Sequence, residues 1–294
     1  MYATMLMKQQ LTLRVQQRYE IVFCTAIMLS LLLNAASVQA QGDLMIYPKR
    51  VIFDGSKRTQ DLALANSGKD TATYLVSFVQ IRMKEDGSFE NIEQPDSGQL
   101  FASNNLRVFP RTVTIAPKES QAVKLQVINT GNLPPGEYRS HVYFRAVPPP
   151  IPAGEIPVAK DTNNLEVKLV PVFGVTIPVI IRIGTDSTTT SISDMDTDLS
   201  DPKKPQVLFS INRSGNMSTY GDLTIDYVSL TGQRTRAAFV KGVAVYTPLL
   251  KRKLRIELDA TSKLNYHQGK LEVNFESNAG KNPAPLAKQE LGLR

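Results

Sequence analysis

Apolar and polar residues alternate with a period of two along most of the chain from Leu44 onward. The clearest instance is VKLVPVFGVTIPVIIR, Val167 to Arg182. Val167, Leu169, Phe173, Val175, Ile177, Val179 and Ile181 share one parity and are apolar, with Pro171 among them. The other parity is mixed: Lys168, Val170, Val172, Gly174, Thr176, Pro178 and Ile180. Alternation over a β-branched run predicts a strand with one apolar face. The run is long, since strands usually span ~5–6 residues. Two readings are open. The stretch is a buried strand of a sandwich, or part of its apolar face is kept for a partner.

The same pattern recurs in shorter pieces. Leu44 to Phe53, Asp61 to Asn66 and Thr73 to Met83 read as strands. Lys84 to Gly98 is polar, with a hairpin turn at Asp86-Gly87. Leu106 to Pro110, Thr112 to Ile115, Ala122 to Val127 and Arg139 to Val147 follow, separated by turn residues. Tyr138 enters its strand just after LPPGE, like the tyrosine corner of immunoglobulin-like sandwiches. Pro148 to Asn164 is proline-rich and reads as a loop. Arg182 to Thr185 reads as a linker. A second series then runs through Thr188 to Ile192, Val207 to Asn212, Gly221 to Leu230, Ala238 to Tyr246, Lys253 to Leu258 and Lys270 to Phe275. Ser277 to Ala287 is a polar tail, and Leu291 to Arg294 a last edge. No segment keeps the helical i, i+3, i+4, i+7 spacing over several turns. The expectation is all-β, with two immunoglobulin-like β-sandwich domains, residues 41–184 and 185–294.

Composition narrows this. The 294 residues are 42% hydrophobic and 21% charged, enough for two cored domains. The first forty residues form a targeting segment. Lys8, Arg14 and Arg18 precede an apolar run from Ile21 to Ala36, and Val38-Gln39-Ala40 offers a cleavage site after Ala40. The alternative, a membrane anchor, falls short of the ~20 residues that a spanning helix requires. The single cysteine, Cys24, lies in the apolar run and leaves with it. Export without disulfides suits a bacterial periplasm. The net charge of +7 includes +2 from the targeting segment, which leaves +5. The basic residues are dispersed apart from Lys251-Arg252-Lys253, which reads as a solvated strand end. Nothing in the pattern fits nucleic acid.

Candidate catalytic chemistry is sparse. His141 falls in a strand and His267 in a turn, without metal-ligand spacing. No HExxH, nucleophile elbow or Walker loop occurs. Asp194, Asp196, Asp198 and Asp201 cluster, but lack the glycine and terminal glutamate of an EF loop and read as a solvated loop. Asn212-Arg213-Ser214 matches a glycosylation sequon that recurs by chance. No enzyme activity, cofactor, metal or small-molecule substrate is expected.

Several stretches, in this order and spacing, resemble the PapD-like periplasmic chaperones of the chaperone–usher pathway. KRVIFDG (Lys49 to Gly55) is similar to the family's first strand. LRVFPRTVTIAPKESQAVKLQV (Leu106 to Val127) and LPPGEYRSHVYFRAVPPP (Leu133 to Pro150) are similar to its middle strands. IPVIIR (Ile177 to Arg182) resembles the end of its seventh strand, and NRSGNMSTYGDLTIDY (Asn212 to Tyr227) the second domain of some divergent members. The resemblance implies a non-enzymatic periplasmic chaperone that binds pilus or fimbrial subunits by donor-strand complementation and delivers them to an outer-membrane usher. It also implies that the two domains meet at an angle. The opening stretch is then the donor strand, with Leu169, Phe173, Val175 and Ile177 as its working side chains. Arg50 matches the cation that anchors a subunit's terminal carboxylate. The family's second cation, a lysine, falls near Pro178, where this chain has none; Lys168 and Arg182 are the candidate substitutes, though nothing in the sequence places either in the cleft. The alternative is an exported two-domain adhesin or structural protein that keeps the strand for its own core.

Overall fold

The computed structural model describes residues 44–148, 171–262, 264–277 and 283–293. The targeting segment with Cys24, the proline loop beyond Pro148, Lys168 and Leu169 lie outside the described residues.

Eleven strands build the first sandwich: β1 (Leu44–Tyr47), β2 (Val51–Phe53), β3 (Thr59–Asn66), β4 (Ala72–Val79), β5 (Ile81–Met83), β6 (Phe89–Asn91), β7 (Leu106–Phe109), β8 (Thr112–Ile115), β9 (Ser120–Val127), β10 (Gly136–Val147) and β11 (Gly174–Ile183). One sheet runs β1-β3-β9-β7 and the other β2-β11-β10-β4-β8, while β5 and β6 make a separate hairpin. The chain changes sheets at Pro48, between β1 and β2. Inward-facing Val51, Phe53, Leu62, Leu64, Val123, Leu125, Val142 and Phe144 fill the space between the sheets. The period-2 pattern places these residues inward, because successive side chains of a strand leave opposite faces. The Tyr138 hydroxyl donates to the Pro134 carbonyl at 3.0 Å, so the expected tyrosine corner is present.

The second sandwich holds β12 (Thr189–Asp198), β13 (Gln206–Ser214), β14 (Thr219–Val228), β15 (Arg234–Val245), β16 (Lys251–Glu257), β17 (Lys270–Ser277) and β18 (Ala284–Gly292). Its sheets run β12-β13-β16 and β15-β14-β17-β18, around Phe209, Ile211, Leu223, Ile225, Val273 and Phe275. The protein is thus all-β, as two β-sandwiches.

Three local expectations are corrected. The last edge expected from Leu291 begins earlier, inside the polar tail: β18 pairs with β17 along Lys270 to Ser277. It forms because Leu286, Ala287 and Leu293 pack on the second core, a sparse apolar set that a polar composition conceals. The polar stretch after Met83 contains β6, paired with β5 across the Asp86-Gly87 turn. Asp194, Asp196 and Asp198 lie in a bulged strand rather than a loop. There Asp194 pairs with Lys251 at 2.7 Å and Asp198 with Arg255 at 2.9 Å.

Candidate functional site: an overhanging strand beside an arginine-lined cleft

β11 divides into two halves. Along its whole length it pairs with β10, from Gly136↔Ile183 to Arg145↔Gly174. On the other side β2 covers only Val179, Ile180 and Ile181. Between Gly174 and Ile177 no described strand pairs with the outer edge. This half overhangs the sandwich. Phe173 is 48% exposed and Val175 38%, although both have the parity of the core residues Val179 and Ile181. Main-chain pairing begins at Phe173, whose carbonyl accepts the Ala146 N–H at 2.9 Å. On the opposite face Tyr143 lies across Gly174, where a Cβ would sit 2.2 Å from its ring.

Ile177 corrects one expectation. It is 4% exposed, sits opposite Val142 and belongs to the first core, so it is not free for a partner. The physical reason is its nearness to β2, beyond which the overhang begins. Of the four expected side chains, Phe173 and Val175 are exposed together, Ile177 is buried, and Leu169 lies outside the described residues.

The outward face of the same sheet meets the second sandwich. Met83 and Ile180 pack with Ala244 and Tyr246. Beside this contact lies a cleft of about 710 Å³, lined by residues of both sandwiches. Arg50 enters it because Val51 and Phe53 are committed inward, which turns Arg50 outward by alternation. Its guanidinium stacks 4.1 Å from the Tyr220 ring centroid and 5.5 Å from that of Tyr246. Nε, Nη1 and Nη2 are all buried without a hydrogen-bond partner. Burial lowers the Arg50 pKa, though an arginine stays charged in any protein setting.

Arg139 also lies over Tyr246, 4.5 Å from that ring centroid. One of its nitrogens donates to the Thr247 carbonyl at 3.3 Å, while Nε and Nη1 have no partner. Among the described residues neither Arg50 nor Arg139 has an ion-pair partner within 4 Å. A buried, unpaired guanidinium is costly and calls for an anion. The cleft can therefore receive a carboxylate or similar group.

Arg182 is not available for that role, which corrects a second expectation. Its Nε donates to Glu137 at 3.1 Å and its Nη2 to the Ser218 carbonyl at 2.8 Å. Glu137 also accepts the Ser218 N–H at 3.0 Å and the Ser218 hydroxyl. Arg182 is a fastener between the sandwiches. The other substitute, Lys168, is outside the described residues. Arg139, Arg252, Tyr220 and Tyr246 were not singled out by the sequence as site residues. The one signal that pointed to any of them was the basic triplet around Arg252, which read as solvated.

His141 lines the cleft between Phe89 and Tyr246, with ring centroids at 6.2 and 6.5 Å. Among the described residues its Nδ1 has no hydrogen-bond partner. Burial, helped by the Arg139 charge, lowers its pKa from 6.5 to about 3. The folded state thus refuses a proton that the unfolded chain takes up below 6.5. Stability is full above 6.5 and falls as pH drops towards 3. The lowered carboxylates Asp259 and Glu272, held near 2 by hydroxyl and cationic partners respectively, lose their contribution only below the usual carboxylate range. Between about pH 5 and 6.5 the slope therefore belongs to His141, at up to ~1.4 kcal/mol per pH unit. Urea unfolding of His141→Asn over that window should give a flat profile where the wild type slopes.

The fold and the site define an all-β, two-sandwich protein with a strand edge that no other described strand covers and an anion-receptive cleft. No protein-family model and no curated protein matches the chain. Among solved structures it is similar to the YadV chaperone, at 14% identity over 85% of this chain and 100% of that one, with a TM-score of 0.42. It is also similar to the CupB2 chaperone of Pseudomonas aeruginosa, at 12% identity over 85% and 100%, TM-score 0.40. A third likeness is to the CsuC–CsuE chaperone–tip adhesion subunit complex of Acinetobacter baumannii Csu pili, at 12% identity over 72% and 90%, TM-score 0.40. At this level of likeness, function has to be argued from this chain's own residues.

Proposed function

We propose that this protein is a divergent PapD-like periplasmic chaperone of the chaperone–usher pathway. It binds pilus or fimbrial subunits by donor-strand complementation and hands them to an outer-membrane usher. The observation that carries this reading is the overhang of β11. Phe173 and Val175 project from a strand whose outer edge, among the described residues, is paired only from Val179 onward, and the strand runs into the Arg50 cleft. An extended partner segment can pair with that edge, seat itself against the apolar side chains and end with its carboxylate on Arg50. The resemblance of KRVIFDG and IPVIIR to the family's first and seventh strands supports the same assignment. The proposed domains divide after Gly184, with a targeting segment removed after Ala40.

The adhesin or structural alternative needs the overhang to be covered by this chain itself. Among the described residues nothing covers it. The test is periplasmic co-expression with a subunit encoded beside this gene. The wild type should yield a soluble complex. Arg50→Ala should reduce its yield at least tenfold, the worth of one lost charge-assisted pair. A yield unchanged by Arg50→Ala removes Arg50 as the anchor, and absence of any complex with neighbouring subunits removes the chaperone assignment.

A further inference from the structure

The outer half of β11 is supported from one side. β10 pairs with it from Gly174 to Ile177, whereas β2 reaches only Val179 to Ile181. One face of this half carries Phe173 and Val175, both more than a third exposed. The other face begins with Gly174, the first residue of the strand. A glycine weakens a strand, because it brings no side chain to pack and loses the most backbone freedom on ordering. At the start of a half-supported strand it should let the overhang fray.

The reason for the glycine stands on the neighbouring strand. Tyr143 of β10 is opposite Thr176, and Gly174, opposite Arg145, is its diagonal neighbour. The Ala146 N–H donates to the Phe173 carbonyl, so by the alternation of an antiparallel ladder Tyr143 and Thr176 form a pair without mutual hydrogen bonds, the kind that brings side chains closest. From there the Tyr143 side chain leans onto Gly174. A Cβ on Gly174 would lie 2.2 Å from Cε2 of the ring, 2.6 Å from the hydroxyl oxygen and 2.7 Å from Cζ. Any side chain at this position would displace the ring. The φ of Gly174 lies outside the left-handed region, so the backbone does not demand glycine; the close approach of Tyr143 does. Arg139 and His141 share this face of β10 and meet Tyr246 of the second sandwich. Tyr143 stands one alternation further along and meets the overhang instead.

We infer that Tyr143, seated on Gly174, is the positioning residue that keeps the overhang of β11 extended in the free protein, ready for a partner strand. This deepens the donor-strand reading and rests on it. The ring takes the place of the side chain that Gly174 lacks, as an aromatic residue laid across a cross-strand glycine can, and it ties the overhang to β10 beyond the main-chain ladder. A partner then pairs with a strand already formed, and the ordering of that strand is not subtracted from its affinity.

The test begins with the free, full mature chain. Amide exchange of the segment from Phe173 to Ile177, read by mass spectrometry, reports how often the overhang opens. Tyr143→Ser should speed this exchange roughly threefold to fivefold, the worth of one cross-strand pair, while β3, β9 and the urea midpoint stay as in the wild type. Tyr143→Phe keeps the ring and should keep the protection. Gly174→Ala should speed exchange as Tyr143→Ser does, because its methyl expels the ring. In the Tyr143→Ser background the same alanine should cause no further loss, since the space is already empty. Should the serine variant prove unstable overall, Gly174→Ala and its comparison with Tyr143→Phe carry the test. In co-expression with a subunit encoded beside this gene, the serine and alanine variants should yield less complex and Tyr143→Phe as much as the wild type. Exchange unchanged by Tyr143→Ser, or losses that add in the double variant, would show that the contact does not hold the overhang. Faster exchange with an undiminished yield would leave Tyr143 a structural contact and overturn its positioning role, with the donor-strand reading intact. No complex even from the wild type would remove the donor-strand reading, and the positioning role with it, whatever the exchange shows.

Discussion

The double substitution Phe173→Asp, Val175→Asp is expected to abolish the soluble complex with a subunit while leaving the free protein folded. Phe173 and Val175 are 48% and 38% exposed and stand beyond the reach of β2, so their loss uncovers no core. Folding stability should change by less than about 1 kcal/mol, as for other exposed positions. In a complex each would fill an apolar groove, worth about 2 kcal/mol apiece. Losing both, and placing two carboxylates there instead, costs at least about 4 kcal/mol, or roughly a thousandfold in affinity. Ile177→Asp is the contrast. It is one alternation further along the same face, but it is 4% exposed within the first core. A charge buried there without a partner should unfold the first sandwich. Co-purification with a subunit, set beside urea unfolding of each free variant, separates the two behaviours. Unfolding of the free double variant would assign the whole strand to the protein's own core and remove the donor role.

Glu137→Ala should lower stability by about 3 kcal/mol, the cost of breaking a buried ion pair from one side. The Glu137 residue is 3% exposed, and it receives donors from both sandwiches: Arg182 of β11 at 3.1 Å and the Ser218 N–H at 3.0 Å. The Ser218 hydroxyl accepts in turn from the Thr247 N–H at 3.0 Å. Without the carboxylate, the buried Ser218 N–H has no acceptor and Arg182 loses its counter-charge. The network joins the two sandwiches, so its loss should also separate their unfolding. Calorimetry should show two transitions in the variant where the wild type shows one. An unchanged midpoint and a single transition would mean that Met83, Ile180, Ala244 and Tyr246 hold the interface without help.

The strands were largely legible because their cause is local. Alternation in Ala122 to Val127, in Leu106 to Phe109 and in the end of β11 is read directly as inside and outside, since a strand turns each successive side chain to the other face. The tyrosine corner was legible for the same reason, as it spans only Pro134 to Tyr138. Most of β18 was missed, apart from the edge expected at Leu291, because its apolar residues are few and its pairing with β17 is not encoded by a local pattern. The extent of the overhang was not legible either. Phe173, Val175 and Ile177 form one unbroken apolar face in sequence, and only the three-residue length of β2 divides them into exposed and buried.

The cleft shows the limit most clearly. Glu137, Arg139 and His141 alternate with Tyr138, Val142 and Phe144 on β10, and such a polar face ordinarily meets water. The sequence by itself determined that these groups share one face, and that Arg50 points away from Val51 and Phe53. The tertiary structure decided that a second sandwich covers that face, that Glu137 finds Arg182 and Ser218 there, and that Arg50, Arg139 and Arg252 are left with unpaired donors. Side-chain direction follows from backbone geometry within two residues. What lies opposite a side chain follows from packing between segments more than a hundred residues apart, such as Arg139 and Thr247, and no local pattern encodes it.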